Sequence, residues 1–385
     1  MTIPITKPVF GPEESLAVQA TLENGWIVQG PRVKAFEDRF SAFTGSPFCT
    51  ATSSCTTALH IAVAMLGLKR GDEVIVPAFT WIATPNVVEY MGAKPIFCDI
   101  DLKTFNIDAE QIERRISRRT VGILPVHLFG LCADMDPILR LAKKHRLWVV
   151  EDAACAFGAR YHGRHAGRLG DIGCFSFHPR KAITTGEGGM ITAELKKWDS
   201  LARSLRDHGA ARSDLARHQG QSAFLLTSYD HLGFNYRMTD IQASLGCAQM
   251  DRASWILERR KAIAGVYDQT LAGRDWLQTP AVPTGYEHGY QSYVCLFRPE
   301  TPTRKNLARL HARRNRLMLE LEEKGISTRQ GTHAPVLLGY YAKKYKLRPG
   351  QFPNAETADR LTMTLPLFPQ MTSEEQDRVC DNLTL

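Results

Sequence analysis

Between residues 51 and 152 the apolar pattern switches repeatedly between a helical period of about 3.6 residues and short continuous runs, and few architectures accommodate that alternation. TALHIAVAMLGL reads as a helix, DEVIVPA as a strand, TPNVVEYMGA as a helix and PIFCDI as a strand. The units continue with a helix around DAEQIERRI, a strand at VGILPV, a helix at DMDPILRLAKKH and a strand at LWVVED, with glycine or proline at several joints. Helices alternating with buried strands imply an α/β layer around a mostly parallel sheet.

Beyond residue 170 the rhythm changes. Two short strands, IGCFSF and GGMITA, flank the loop HPRKAITTGE, and a helical stretch follows at LKKWDSLARSLRDHG. Residues 210–230 are polar and irregular and read as a mobile loop rather than a linker. From residue 239 one long helical pattern, TDIQASLGCAQMDRASWILERRKAIAGVYDQTLAG, leads toward a smaller α+β part with a strand at QSYVCLF, a helix around NRLMLELEEKG and a last helix after TLPLFP. The expected division is an N-terminal segment plus large domain over 1–250 and a small C-terminal domain over 251–385. The 385 residues, 44% of them hydrophobic, suffice for such cores.

The formal charge of +8 raises the question of nucleic acid. The basic clusters, Arg114, Arg115, Arg118 and Arg119 in one segment and Arg304, Lys305, Arg309, Arg313, Arg314 and Arg316 in another, are interleaved with apolar residues and read as solvated helix faces. No nucleic-acid partner is expected, although a basic enzyme attracts anionic substrates such as phosphates. The nine cysteines form no C-x-x-C pair and suit reduced, buried thiols in a cytosolic protein. MTIPITKPVF lacks the charged and apolar parts of a secretory leader, and no apolar run of about 18 residues occurs, so membrane insertion is not expected. His162 and His165 lack further ligands, so no metal is expected there. No G-x-G-x-x-G follows the first strand and no G-x-S-x-G occurs, which argues against a dinucleotide dehydrogenase and an α/β hydrolase.

Four stretches carry chemistry. In GCFSFHPRKAITTGEGGMITA, Lys181 sits in a loop dense in threonine and glycine between two strands. Imine formation needs a partly neutral amine, so a working lysine is desolvated or set beside positive charge, with Arg180 a neighbour able to contribute. The plain alternative is a solvated loop lysine. LWVVEDAACAFGA ends an apolar strand in Glu151 and Asp152, which delivers a carboxylate to the sheet edge where ligands of open α/β folds bind. A carboxylate there can keep the ring nitrogen of a pyridine cofactor protonated; the plain alternative for Asp152 is a helix N-cap. CTATSSCTTALHIAVAML opens a helix with serines and threonines, leaving first-turn amides for a phosphate, or simply capping the helix. Cys55 in that stretch has no ordered Cys, His and Asn set to make it a nucleophile. Trp81, after the strand VIVPA, can lay its ring on a flat cofactor or pack half-buried.

Along the chain the order is phosphate turn, Trp81, strand-end Asp152 and Lys181 loop, and in this order and approximate spacing the four stretches resemble the DegT/StrS-type nucleotide-sugar aminotransferases, most closely the branch acting at C4 of the sugar. The similarity extends over NGWIVQGPRVKAFEDRF, GDEVIVPAFTWIAT, PVHLFGLCADMD, EDAACAFGARYHGR, GFNYRMTDIQASLG, FPNAE and TLPLFPQMT, nearly the full chain. Three departures stand out: Arg180 is an extra residue between Pro179 and Lys181, Cys55 replaces the usual glycine of the phosphate turn, and Cys155 replaces a polar residue, often Gln or His.

The resemblance implies a fold type I, pyridoxal-phosphate-dependent transferase with a seven-stranded, mostly parallel sheet, working as a homodimer with shared active sites. It implies that Lys181 forms the Schiff base with pyridoxal 5'-phosphate, which cycles through pyridoxamine 5'-phosphate. It further implies that Asp152 meets the ring nitrogen and Trp81 stacks on the ring. Cys55, Thr56, Ser176 and, from the neighbouring subunit, Asn235 would hold the phosphate, and Cys155 would stand near the ring hydroxyl as a poor hydrogen-bond partner. Lys7, Trp26 and His333 are the substrate-contact candidates. The implied reaction moves an amino group from glutamate or glutamine to a nucleotide-linked keto-sugar, a 4-keto-6-deoxyhexose in the first instance, toward surface polysaccharide or secondary-metabolite synthesis. The rivals are a C3 or keto-inositol aminotransferase, a same-fold sugar dehydratase, which usually carries histidine in place of Lys181, and a non-catalytic regulatory or binding protein.

Overall fold

The structure, a computed structural model, describes residues 2–211 and 227–385, so most of the polar loop expected at 210–230 lies outside the described residues. Two helices precede the first strand, α1 (Pro12–Asn24) and α2 (Pro31–Thr44). Each opens on a proline, whose missing N–H costs nothing there, and closes on a left-handed glycine, Gly25 and Gly45.

The alternating region then folds as its periodicity requires: β1 (Phe48–Thr52), α3 (Cys55–Met65), β2 (Glu73–Pro77), α4 (Ala83–Tyr90), β3 (Lys94–Cys98), α5 (Ala109–Ile112), β4 (Thr120–Ile123), α6 (Met135–His145) and β5 (Trp148–Asp152). A short hairpin, β6 (Arg160–Tyr161) and β7 (Arg164–His165), leads into β8 (Ile172–Ser176), β9 (Gly189–Ala193) and α7 (Lys196–Leu205). The seven long strands form one sheet in the order β1-β9-β8-β5-β4-β2-β3. Only β9 runs antiparallel to its neighbours; the remaining pairings are parallel, as expected. Val74 and Val76 of β2 enter one apolar cluster and Ile75 the other, so the sheet is covered on both faces.

The long helical pattern after residue 239 divides into α8 (Asp240–Asp251) and α9 (Ala253–Thr270). Arg252 breaks it at φ −104° and ψ 1° without glycine or proline. Tertiary contacts explain the break: Gln249 and Arg252 both turn to Glu14 of α1, at 2.8 and 3.2 Å. The Asp240 carboxylate accepts the amides of Gly30, Arg32 and Val33 at 2.8–3.0 Å and so pins the start of α2 to the start of α8.

Beyond these come β10 (Leu277–Gln278), β11 (Tyr286–Glu287), β12 (Tyr293–Phe297), α10 (Leu307–Glu323), α11 (Gly339–Lys344), α12 (Pro353–Leu361), β13 (Thr362–Leu365) and α13 (Ser373–Asn382). β10, β12 and β13 make a second, antiparallel sheet, while β11 pairs with β6. One basic residue departs from the solvated-face expectation: Arg314 on α10 is buried, its guanidinium turned to Met318 and His311, because the apolar stripe of that helix carries its stem inward.

Candidate active site

The sheet register gathers the candidate residues. Gly189, first residue of β9, pairs with Thr52 at the end of β1 on one side and with Ser176 at the end of β8 on the other. On the next parallel strand Asp152 ends β5 opposite Cys174. Phosphate-turn candidates and carboxylate therefore meet at the carboxyl edge of the parallel strands, where open α/β sheets bind ligands.

Residue choice at Gly189 is dictated by space. A Cβ there would lie 2.4 Å from the carbonyl carbon and oxygen of Ser54 and 2.7 Å from the amide nitrogen of Cys55. Glycine thus lets the start of α3 settle against β9. Ser54 caps that helix by accepting the Thr57 amide at 3.2 Å, and the amides of Cys55 and Thr56 in the first turn have no intrahelical acceptor. Buried Cys55 holds its proton far more tightly than a free thiol, because of desolvation first and the Asp152 carboxylate second, which removes it as a nucleophile.

The lysine loop is stitched back onto β8 rather than left in solvent. Thr184 Oγ1 and the Thr185 amide both donate to the Phe177 carbonyl, at 2.8 and 3.0 Å. The Gly186 amide returns to Thr184 Oγ1 at 3.0 Å, and Thr185 Oγ1 reaches the Glu187 carbonyl at 2.7 Å. Lys181, half-buried, points its ammonium at the Cys155 sulfur, 3.1 Å away. Burial pulls its pKa down, but the neighbouring Cys155, Cys55 and Asp152 outweigh that and hold it above the ordinary lysine range. The expectation of a lowered amine pKa is therefore not met by the protein's own groups. The charges that act on Lys181 are of opposite sign, and the Arg180 side chain is exposed.

Asp152 is buried and caps no helix; turns occupy 153–159. Its Oδ2 accepts the Thr84 hydroxyl at 2.8 Å and its Oδ1 the Ala154 amide at 3.1 Å. Desolvation raises its pKa, opposed by those two donors and by Lys181.

Trp81 is 58% exposed rather than packed, and its ring lies 5.9 Å from that of His333, whose carbonyl accepts the Thr80 amide at 2.9 Å. His333 is thereby brought beside Trp81. Ser176 lies at the end of β8 with its hydroxyl near the His178 amide. Asn235 is exposed, bridged to Asp207 and next to Tyr236, whose carbonyl takes the Ser53 amide at 2.9 Å. Lys7 is exposed and Trp26 leans on the Gln29 carbonyl; no contact described joins either to Lys181. All nine cysteines are unbridged, and Cys155 alone among them is not fully buried. Both nitrogens of His165 are engaged, by the Gly158 amide and the Ala166 carbonyl.

Sequence reasoning missed two layers behind this edge. Thr84 and Thr80, only 2.9 Å apart through their hydroxyls, back Asp152. Glu151 points to the opposite face of β5, where it accepts His127 Nε2 at 2.8 Å and the amides of Gly167, Leu169 and Gly170. His127 Nδ1 accepts the Ala133 amide, which fixes Nε2 as the protonated nitrogen. Burial raises the pKa of Glu151, yet His127 and the amides bring it below the usual range. The signal for both layers was present: a buried strand-end carboxylate requires donors.

A pyridine cofactor with a phosphate fits what the edge supplies: an amine, a buried carboxylate backed by donors, an exposed aromatic ring and a helix start made accessible by Gly189. Fold and site together define the class, an aminotransferase dependent on pyridoxal phosphate. The chain belongs to the DegT/DnrJ/EryC1/StrS aminotransferase family, which it matches over residues 8–384. It is 37% identical to the uncharacterized protein MJ1066 of Methanocaldococcus jannaschii over 97% of this chain and 94% of that one. It is 34% identical to the spore coat polysaccharide biosynthesis protein SpsC of Bacillus subtilis, over 98% and 95%. Among solved structures, the putative sugar aminotransferase Spr1654 of Streptococcus pneumoniae in its PMP form superposes with a TM-score of 0.91 at 30% identity, over 99% and 98% of the two chains.

Proposed function

We propose that this enzyme aminates a nucleotide-linked keto-sugar, specifically the C4 ketone of a 4-keto-6-deoxyhexose, with glutamate or glutamine as donor. The observation that carries the reading is the convergence of the Lys181 amine and the Asp152 carboxylate at one sheet edge, close enough for their charges to act on each other. The kinship with SpsC and Spr1654, whose names speak of polysaccharide biosynthesis and of a sugar aminotransferase, supports a sugar substrate bound for surface polysaccharide or a secondary metabolite.

In this reading Lys181 would hold the cofactor covalently and Asp152 would meet its ring nitrogen. Trp81 would cover the ring, Cys155 would stand near the ring hydroxyl, and Cys55, Thr56 and Ser176 would hold the phosphate together with Asn235 of a second copy in a cytoplasmic homodimer. Pyridoxal phosphate, when bound, supplies an electron sink for the carbon that loses its proton. With the cofactor bound, Lys181 Nζ would be the group that takes the proton from the donor's α-carbon and later returns one to the sugar carbon that acquires the amine. Lys7, Trp26 and His333 are the side chains assigned to the sugar nucleotide, His333 with the strongest support through its ring contact with Trp81. No helix among the described residues is long and apolar enough to cross a membrane.

The test is incubation of the reconstituted enzyme with UDP-, dTDP- and GDP-linked 4-keto sugars, a 3-keto sugar and a keto-inositol, each with glutamate or glutamine. A 4-keto sugar should give a product in which a primary amine replaces the ketone, read by mass and NMR. Exclusive turnover of the 3-keto or inositol substrate refutes the C4 assignment, and loss of a hydroxyl without gain of nitrogen would reveal a dehydratase.

A further inference from the structure

Asp152 is held by a relay that starts outside its own strand. Thr84, the second residue of α4, is fully buried, and its hydroxyl donates to Asp152 Oδ2 at 2.8 Å. A hydroxyl has one proton, so with that proton on the carboxylate Thr84 must accept from Thr80, whose Oγ1 lies 2.9 Å away. Thr80 is also buried, and its amide is fixed to the His333 carbonyl at 2.9 Å. The direction of the chain is thereby determined: Thr80 donates to Thr84 and Thr84 to Asp152. Among the groups that oppose the desolvation of Asp152, the Thr84 hydroxyl is the largest.

Resting on the reading of Asp152 as partner of the cofactor's ring nitrogen, we propose that Thr84, oriented by Thr80, is a positioning residue. Its hydroxyl fixes the rotation of the buried carboxylate and keeps it ionised. A carboxylate with one fewer donor in a dry site reverts toward its neutral form, and a neutral Asp152 no longer holds a proton on the ring nitrogen. Valine at position 84 would keep the branched shape and leave Oδ2 facing a methyl group. Serine would keep the donor.

The experiment compares wild type, Thr84→Val, Thr84→Ser, Thr80→Val and Asp152→Asn, each reconstituted with pyridoxal phosphate. The pH dependence of the visible band and the rate of its bleaching by glutamate are recorded together. Loss of a donor to the charged form raises the carboxylate pKa, so in Thr84→Val the acid limb of the titration should move up by about one pH unit. That is tenfold in proton affinity, and bleaching should slow by a similar factor. Thr84→Ser should titrate like wild type, and Thr80→Val should shift in the same direction by less. If Thr84→Val titrates like wild type while Asp152→Asn loses bleaching, the relay has no such role and the reading of Asp152 stands. If Thr84→Ser is impaired as severely as Thr84→Val, shape rather than the hydroxyl matters and the proposal falls. Should Asp152→Asn itself titrate and bleach like wild type, the underlying assignment of Asp152 fails instead.

Discussion

Gly189→Ala isolates the phosphate cradle from the rest of the site. The added Cβ would lie 2.4 Å from the Ser54 carbonyl carbon, whereas comfortable carbon contacts begin at about 3.5 Å, so the start of α3 must retreat by about 1 Å. The other side offers no relief, because β9 is a central strand paired to β1 and β8 at this residue. Amide-to-phosphate hydrogen bonds of about 2.9 Å would lengthen to nearly 3.9 Å and cease to count as bonds. Losing two bonds to a charged group at about 1.5 kcal/mol each lowers cofactor affinity roughly a hundredfold. The strain on the empty chain is of the overpacking kind, about 1–3 kcal/mol. Titration of cofactor by absorbance gives the affinity, and thermal melts of the cofactor-free protein give the strain. A variant that binds cofactor as tightly as wild type refutes the cradle, whatever the melts show. A variant weaker only in proportion to its lost stability refutes it as well.

Three further perturbations separate other parts of the site. Lys181→Ala should carry no cofactor on its peptides after borohydride reduction, whereas wild type should carry it at Lys181, as peptide mass spectrometry will show; cofactor on another lysine sinks the assignment. Cys155→Ala removes the neighbour that does most to hold the Lys181 pKa up. With that support gone, the amine is neutral at lower pH and the midpoint for cofactor incorporation should move down; an unmoved midpoint counts against the contact. His165, buried and neutral, has its pKa lowered by desolvation from 6.5 to about 4. The unfolded chain binds that proton first, so its contribution is complete above pH 6.5 and is lost as pH falls toward 4, about 3 kcal/mol in all. His165→Gln should flatten the fall in melting temperature across that window, and an unchanged slope would assign the acid sensitivity elsewhere.

The parts of the fold that follow from local pattern were legible. Strands such as DEVIVPA and LWVVED are short, apolar and bounded, and they became β2 and β5 because buried parallel strands have that composition. What escaped was decided by distant partners. The break at Arg252 depends on Glu14, about 240 residues away, and the hairpin β6–β7 is completed by β11, more than a hundred residues later. At the site, the motifs located Lys181, Asp152 and the start of α3. Their register across Gly189, and the threonines behind Asp152, depend on pairings that a single stretch of sequence does not contain.

At Cys155 the departure from the family pattern changes what the lysine meets. By sequence it is only a weak hydrogen-bonding residue where a polar one is usual; in the structure its sulfur is the atom that receives the Lys181 amine, at 3.1 Å. Gln or His would offer an oxygen or nitrogen acceptor, whereas a thiol is ordinarily a weak one. The contact does most to hold the Lys181 amine in its charged form, which slows its capture of an incoming aldehyde. The rate of cofactor incorporation as a function of pH, compared between wild type and Cys155→Gln, tests this. The rising limb should lie at lower pH in Cys155→Gln, because the neighbour that holds the lysine pKa up is gone. Identical profiles for the two proteins would show that the 3.1 Å contact has no bearing on the amine.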